Sequence, residues 1–399
     1  MKRVLYASTA LATAGILMGG VGNASAEEER IKIEVHGYHQ QWGSVMAGHN
    51  LKDGAGQHPF DTNTLDQKHN SEICFTGEAT LDSGLTVGVN VQLEANTSAD
   101  QIDESYLYLS TPEVGRLIIG DENNAAYLLQ VTAPDGGLSH NGANLSATQI
   151  VILPADFDVL DTTMDGTLLR FDDNDSGKFS FISPRFAGFQ VGLSYIPNFE
   201  SGGDNNNSIS RVRPAGGGSK TGGAGDNPSG IKDGFAIGTN FTEKFGDIGL
   251  QASLGYMFGD TPPNEGSSNL QAASGGLQIA VAGFTVGGSY TWANGDKASQ
   301  GGGQSYDGYS YDVGVAYSTG PYKIGLAYMR GESEGLRASS SKQHADYLIL
   351  SGTYQLGPGV RWISGIYGFD LDGDDGATGA GQVASSDGWG ATSGITLSF

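Results

Sequence analysis

The 399-residue sequence holds a single cysteine, Cys74, so no disulfide within the chain can brace it. Only 21 Lys and Arg stand against 44 Asp and Glu, a net charge of −23 that argues against nucleic acid as a partner. Acidic loops of that kind gather cations instead, divalent ions among them. After the first residues there is no apolar run of the roughly 18 residues that a membrane helix needs. That absence excludes a transmembrane helix and leaves a transmembrane barrel open, because barrel strands carry a far weaker signal.

What is present begins with residues 1–26, where Lys2 and Arg3 precede a short apolar stretch and then Ala24-Ser25-Ala26. This is the pattern of a secretory signal peptide, with the exported chain expected at 27–399. Its apolar part is shorter than the roughly 20 residues that an anchor requires. Glycine is abundant at 64 residues, which by itself is compatible with disorder. The 17 Tyr, 16 Phe and 4 Trp argue against that, since disordered segments are poor in aromatics.

The order is visible in LTVGVNVQLEAN, residues 85–96. Leu85, Val87, Val89, Val91, Leu93 and Ala95 share one parity, and Thr86, Gly88, Asn90, Gln92, Glu94 and Asn96 the other. Strict period two of this length predicts a strand with one apolar and one polar face. The same alternation recurs at Ile73–Leu81, Ile248–Phe258, Phe284–Trp292, Tyr309–Tyr317 and the terminal GWGATSGITLSF.

The joins are sorted by length. Tight turns fall at Asp82–Gly84, Thr111–Gly115, Pro184–Gly188, Glu243–Gly246, Ala282–Gly283, Ser318–Pro321 and Leu356–Gly359. Between them lie polar segments near 49–70, 121–175, 198–231, 259–269, 293–305, 331–343 and 371–386, with a shorter join at 97–101. Short turns on one side and long loops on the other are the mark of an outer-membrane barrel. The expected fold is therefore all-β, a transmembrane antiparallel up-and-down barrel of about 16 strands with its termini in the periplasm. A β-sandwich would also bury alternating aromatics, but it has no need to sort its joins.

A barrel that wide leaves an aqueous channel, lined here by the polar parity. The segment of about 121–176 is too long and, at Tyr127–Leu129 and Ile150–Leu153, too apolar to extend into water. The barrel interior is the nearest surface for it. DESYLYLSTPEVGRLIIGDENNAAY (103–127), GKFSFISPRFAGFQVGLSYIPN (177–198), YQLGPGVRW (354–362) and the terminal strand together resemble the general bacterial porins of Gram-negative outer membranes, in their alphaproteobacterial form.

The resemblance implies a pore-constricting loop, homotrimers and passive diffusion of small hydrophilic solutes and ions. It also implies acidic loop residues opposite a basic wall. The loop candidates are Asp121, Glu122, Asp135, Asp156, Asp158, Asp161 and Asp165. Candidates on the pore wall, by parity, are Glu72, Glu78, Glu94, Glu104, Arg116, Asp312, Lys323 and Arg361, with Arg116 and Arg361 nearer the periplasmic mouth. The scarcity of basic residues points to weak cation selectivity. Phe399 ending the last strand resembles the signal read by the outer-membrane insertion machinery.

No cofactor is expected, apart from a weak calcium signal. Asp172, Asn174 and Ser176 begin a calcium-loop spacing, but Ser183 stands where a bidentate Glu belongs. The seven histidines form no zinc motif and no Ser nucleophile elbow is present, so no enzyme is expected. Two other readings remain: a solute-specific outer-membrane channel and a secreted β-sheet adhesin. Mostly small polar residues on the inward parity favour the nonspecific pore.

Overall fold

The computed structural model describes residues 31–58, 60–95, 102–139, 142–145, 150–155, 163–171, 173, 176–199, 211–212, 226–227, 231–261, 268–297, 304–336, 342–373 and 382–399. Sixteen antiparallel strands close into a barrel. They are β1 (Lys32–Asp53), β2 (Leu65–Thr80), β3 (Thr86–Glu94), β4 (Ile102–Thr111), β5 (Gly115–Asp121), β6 (Gly177–Ile182), β7 (Phe189–Asn198) and β8 (Lys232–Phe245). There follow β9 (Ile248–Asp260), β10 (Leu270–Val281), β11 (Phe284–Asn294), β12 (Gln304–Thr319), β13 (Tyr322–Leu336), β14 (Gln343–Gly357), β15 (Val360–Asp372) and β16 (Val383–Ser398). Asp296–Lys297 adds a short pairing beside β12, and Arg211–Val212 pairs with Asp226–Asn227 in a separate two-stranded sheet.

Each strand pairs with its sequence neighbours, and β1 pairs with both β2 and β16, so no edge remains. The seam is finished by Gly37 and Phe399, which exchange backbone hydrogen bonds of 3.0 and 3.1 Å. The tight turns are where the glycines place them. At Ala282–Gly283 the φ values are +50° and +86°, the left-handed pair of a two-residue hairpin. The join expected across 49–70 is shorter, because β1 runs on to Asp53 and β2 starts at Leu65. Polar residues such as Lys52, Asp66 and Lys68 hide these strand ends from a reading by apolar alternation.

The predicted parity holds along the wall. Leu254, Val286, Leu348 and Ile366 face outward and are more than half exposed, a coat that only a membrane accommodates. Aromatic rows border it. Phe284 and Tyr317 pair at 4.5 Å between centroids near the short turns, and Tyr290 and Tyr309 stack at 6.4 Å near the long joins. Eight residues separate Phe284 from Trp292, about 26 Å of strand at about 3.3 Å per residue. Inclined by ~40°, that length covers most of the hydrocarbon layer.

Candidate functional site

The segment between β5 and β6 folds into the barrel. It opens with α1 (Ala125–Leu128), capped by the Asn124 side chain, which accepts from the amides of Ala126 and Tyr127. The Asn124 amide also donates to the Leu169 carbonyl at 2.8 Å and to the Asp173 carboxylate at 2.9 Å. One buried asparagine thus ties the outgoing limb of the loop to the returning one. Lys178, 2 % exposed, donates to the carbonyls of Asp173 and Ser176 and lies 3.8 Å from the Asp173 carboxylate.

From α1 the loop runs along the inner wall. The Val131 amide donates to Ser253 Oγ on β9, Gln278 on β10 donates to the Thr132 carbonyl, and Thr353 on β14 donates to the Gly136 carbonyl. Contact this close needs missing side chains on the wall. A Cβ on Gly276 would lie 1.8 Å from the Val131 carbonyl oxygen, and one on Gly314 would lie 2.1 Å from that of Pro134. The inward glycines form a bed for the loop backbone. Apolar loop residues seal it: Leu145, Ile150 and Met164 pack with Trp42, Tyr347 and Tyr367 of the wall.

Asp312 on β12 holds both limbs. Its carboxylate accepts from the Ala133 amide at 3.0 Å and from Thr167 Oγ1 at 3.2 Å, and also from the Ser289 amide and hydroxyl at 2.6 and 2.7 Å. It is on the inward face, as its parity requires, but at 1 % exposure it lies beneath the loop rather than against the channel.

The loop covers the inner wall from β7 round to β15 and packs on Trp42 of β1, which leaves β2–β4 the barest stretch. That bare wall is acidic. Tyr38 donates to Glu72 at 2.5 Å, Gln92 bridges Glu72 and Asp103 at 2.7 and 3.4 Å, Tyr108 donates to Glu78 at 2.6 Å, and Asn123 donates to Glu104 at 3.3 Å. Glu94 sits directly across from Glu72. Arg116 projects from β5 onto the Tyr108 ring, 3.8 Å from its centroid.

The other residues singled out in the sequence are dispersed. Asp121 ends β5, and Glu122 beside it is buried, with burial pushing its carboxyl above the ordinary range near Glu104 and Tyr106. Asp135 lies 3.5 Å from Lys323 on β13. Asp165 closes the 3-10 turn Thr163–Asp165. Arg361 is half-buried near the short turns, in register with Thr396. Asp156, Asp158, Asp161, Asp172 and Asn174 lie outside the described residues. Ser176 donates to the Asp173 carbonyl at 3.1 Å.

The sequence matches the model of the Gram-negative porin family over residues 7–393. The chain belongs to that family. No curated protein matches it at the level of sequence. Its fold is similar to that of the outer membrane channel DcaP of Acinetobacter baumannii, with a TM-score of 0.58 at 12 % identity over 94 % of this chain and 99 % of that one. Salmonella typhi OmpF, solved with daunomycin, gives 0.56 at 14 % over 92 % and 98 %. An anion-selective porin from Comamonas acidovorans gives 0.53 at 16 % over 93 % and 100 %. At such identities these likenesses establish the fold alone.

The porin is an outer-membrane channel for passive diffusion of small solutes. In this porin the passage lies between the folded-in loop and the acidic wall of β2–β4. Parity alone missed Asp103, because a register shift after Gln92 brings it to the lumen beside Glu104. It also missed Asn124 and Lys178, although Lys178 alternates with outward Phe179 and Phe181. One carboxylate oxygen from each of Glu72, Glu94 and Asp103 comes within 4.8 Å of the others, a spacing that suits a hard cation. Carboxylates on a wet wall reach such spacing without an ion.

Proposed function

We propose that the porin is weakly cation-selective and nonspecific. The observation that carries this is the bare wall, where Glu72, Glu78, Glu94, Asp103 and Glu104 line the passage while the loop covers the opposite side. A water-filled channel whose low-dielectric walls carry one sign of charge raises the local concentration of the opposite ion. Small residues on the inward parity favour diffusion over a solute-specific path. The reversal potential across a planar bilayer in a salt gradient tests the reading, and anion preference would overturn it.

The rest of the expected biology fits this pore. Residues 1–26 direct export, the terminal strand ending in Phe399 is read by the insertion machinery, and the channel works without a cofactor or a catalytic step. The barrels assemble as homotrimers. In support, the outward parity of β1 turns from Ile33 and Val35 to Gly37, His39, Gln41 and Gly43, and His39 meets outward Ser71 on β2 at 2.5 Å. Polar groups on a lipid face are costly, and a second copy of the chain covers them. Crosslinking at Gln41 in native membranes separates a trimer from a monomer.

A further inference from the structure

On the inner wall, toward the end with the short turns, three polar side chains on neighbouring strands stand in one row: Arg361 on β15, Thr396 on β16 and Gln40 on β1. Their chain neighbours Trp362, Ile395, Leu397, His39 and Gln41 are exposed on the outer face, so the row itself points inward. Thr396 is 1 % exposed, and its hydroxyl has no hydrogen-bond partner among the described residues. Arg361 and Gln40, both half-buried, flank it, and neither side chain makes a hydrogen bond or ion pair among the described residues. On the far side of Arg361, the Gln355 amide is taken up by the carbonyls of Gly357 and Val360. An unpaired buried hydroxyl costs about 1–3 kcal/mol, a cost that a bound group removes.

The place of the row decides what passes it. Ile363, the next inward residue of β15, is buried in the cluster that seats the loop. Arg361 is one inward step nearer the turn that ends at Gly359, so the row lies just beyond the loop on the periplasmic side. A solute leaving the narrow part of the channel meets it there. Of the other charges nearby, Lys323 on β13 already faces Asp135 at 3.5 Å, which leaves Arg361 to set the charge of the row.

All three groups can donate, and a guanidinium can do nothing else. The group that fits them is an acceptor with negative charge. A guanidinium fork matches the two oxygens of a planar carboxylate, and a hydroxyl and an amide suit the lone pairs that remain. One positive charge balances one carboxylate. A phosphate dianion would keep surplus negative charge in a passage whose other wall holds Glu72, Glu94 and Asp103, and is disfavoured.

We propose that Arg361, Thr396 and Gln40 form a binding site for the carboxylate group of small monoanionic solutes, at the periplasmic exit of the channel. The site rests on the barrel being an open channel and not on its ion preference, which the opposite wall sets. Passage stays diffusive, with one resting point for a carboxylate.

The test uses the full-length porin in planar bilayers at neutral pH, with three probes of one skeleton: gluconate, glucose and glucose 6-phosphate. Interruptions of the single-channel current are followed as each probe is titrated. Wild type is expected to show saturable interruptions with gluconate, few with glucose, and weaker binding of glucose 6-phosphate. Arg361→Gln should weaken gluconate binding about tenfold or more, as the loss of hydrogen bonds to a charged group implies. Arg361→Lys keeps the charge but loses the fork, and should fall between. Thr396→Val is close in shape and has no hydroxyl to leave unpaired, so it folds even if an Arg361 variant does not, and it should weaken gluconate binding several-fold. Equal gluconate binding in wild type and in the folded Arg361→Gln and Thr396→Val variants, or interruptions by glucose as frequent as by gluconate, overturns the site. Tighter binding of glucose 6-phosphate than of gluconate would reassign the row to phosphate and also overturn it. An anionic reversal potential in wild type would overturn the cation preference alone and leave a gluconate site standing.

Discussion

Phe399, the final residue of the sequence, exchanges both backbone hydrogen bonds with Gly37. The bonds sit at the seam where β16 meets β1, and the Phe399 ring stays outward at 58 % exposure. Deletion of Phe399 removes the last rung and the ring together. The variant is expected to accumulate in the periplasm as unfolded chain, with a several-fold loss of the folded band on unheated gels. Normal yield of folded protein in the outer membrane would count against a role in assembly.

Asp312 is expected to govern the position of the loop. Hydrogen bonds to a charged group are worth about 1.5–3 kcal/mol each, and Asp312→Ala strands the Ala133 amide and takes the charged acceptor from the Thr167 hydroxyl at once. Single-channel recordings should show noisy, larger conductance, and the loop should become cleavable by added protease. Asp312→Asn keeps part of the acceptor capacity and should be intermediate. Steady, wild-type conductance in Asp312→Ala would show that the glycine bed alone holds the loop.

Gly276 tests that bed directly. A valine there overlaps the Val131 carbonyl, so either the loop moves into the channel or the wall distorts. Overpacking of this kind costs about 1–3 kcal/mol. Reduced conductance in Gly276→Val, measured beside its thermal midpoint, is the expected outcome.

Ion preference should follow the bare wall rather than the loop. Glu72→Gln, Glu94→Gln and Asp103→Asn combined should bring the reversal potential close to zero. Asp135→Asn should change it little, since that carboxylate already faces Lys323. Both effects should shrink above about 1 M salt, where the screening length falls to about 3 Å.

Glu122 makes the root of the loop sensitive to pH. Its carboxyl is raised by burial, so the folded protein binds a proton more readily than the unfolded chain. The stabilisation is complete below the ordinary glutamate value and is lost as pH rises through the raised one. The thermal midpoint is therefore expected to fall as pH rises above the ordinary glutamate value, and Glu122→Gln should flatten that slope.

Much of this barrel is legible from local pattern. Alternation from Leu85 to Ala95 or from Phe284 to Trp292 states which side chains meet lipid, because a strand turns successive residues to opposite faces. Tight turns at Ala282–Gly283 and its counterparts, set against long joins, state how the chain is oriented. Where alternation is masked by charge, as at Lys52 and Asp66, strand ends are not visible.

Sequence alone determined the strand count and the inward and outward parity, which depend on neighbours within a dozen residues. Only the tertiary structure decided which inward residues meet water. Parity places Asp312 and Glu72 alike on the inner face, yet one is an anchor beneath the loop and the other lines the passage. The difference arises from Ala133 and Thr167, each more than a hundred residues from Asp312, and a contact across that distance leaves no period in the chain.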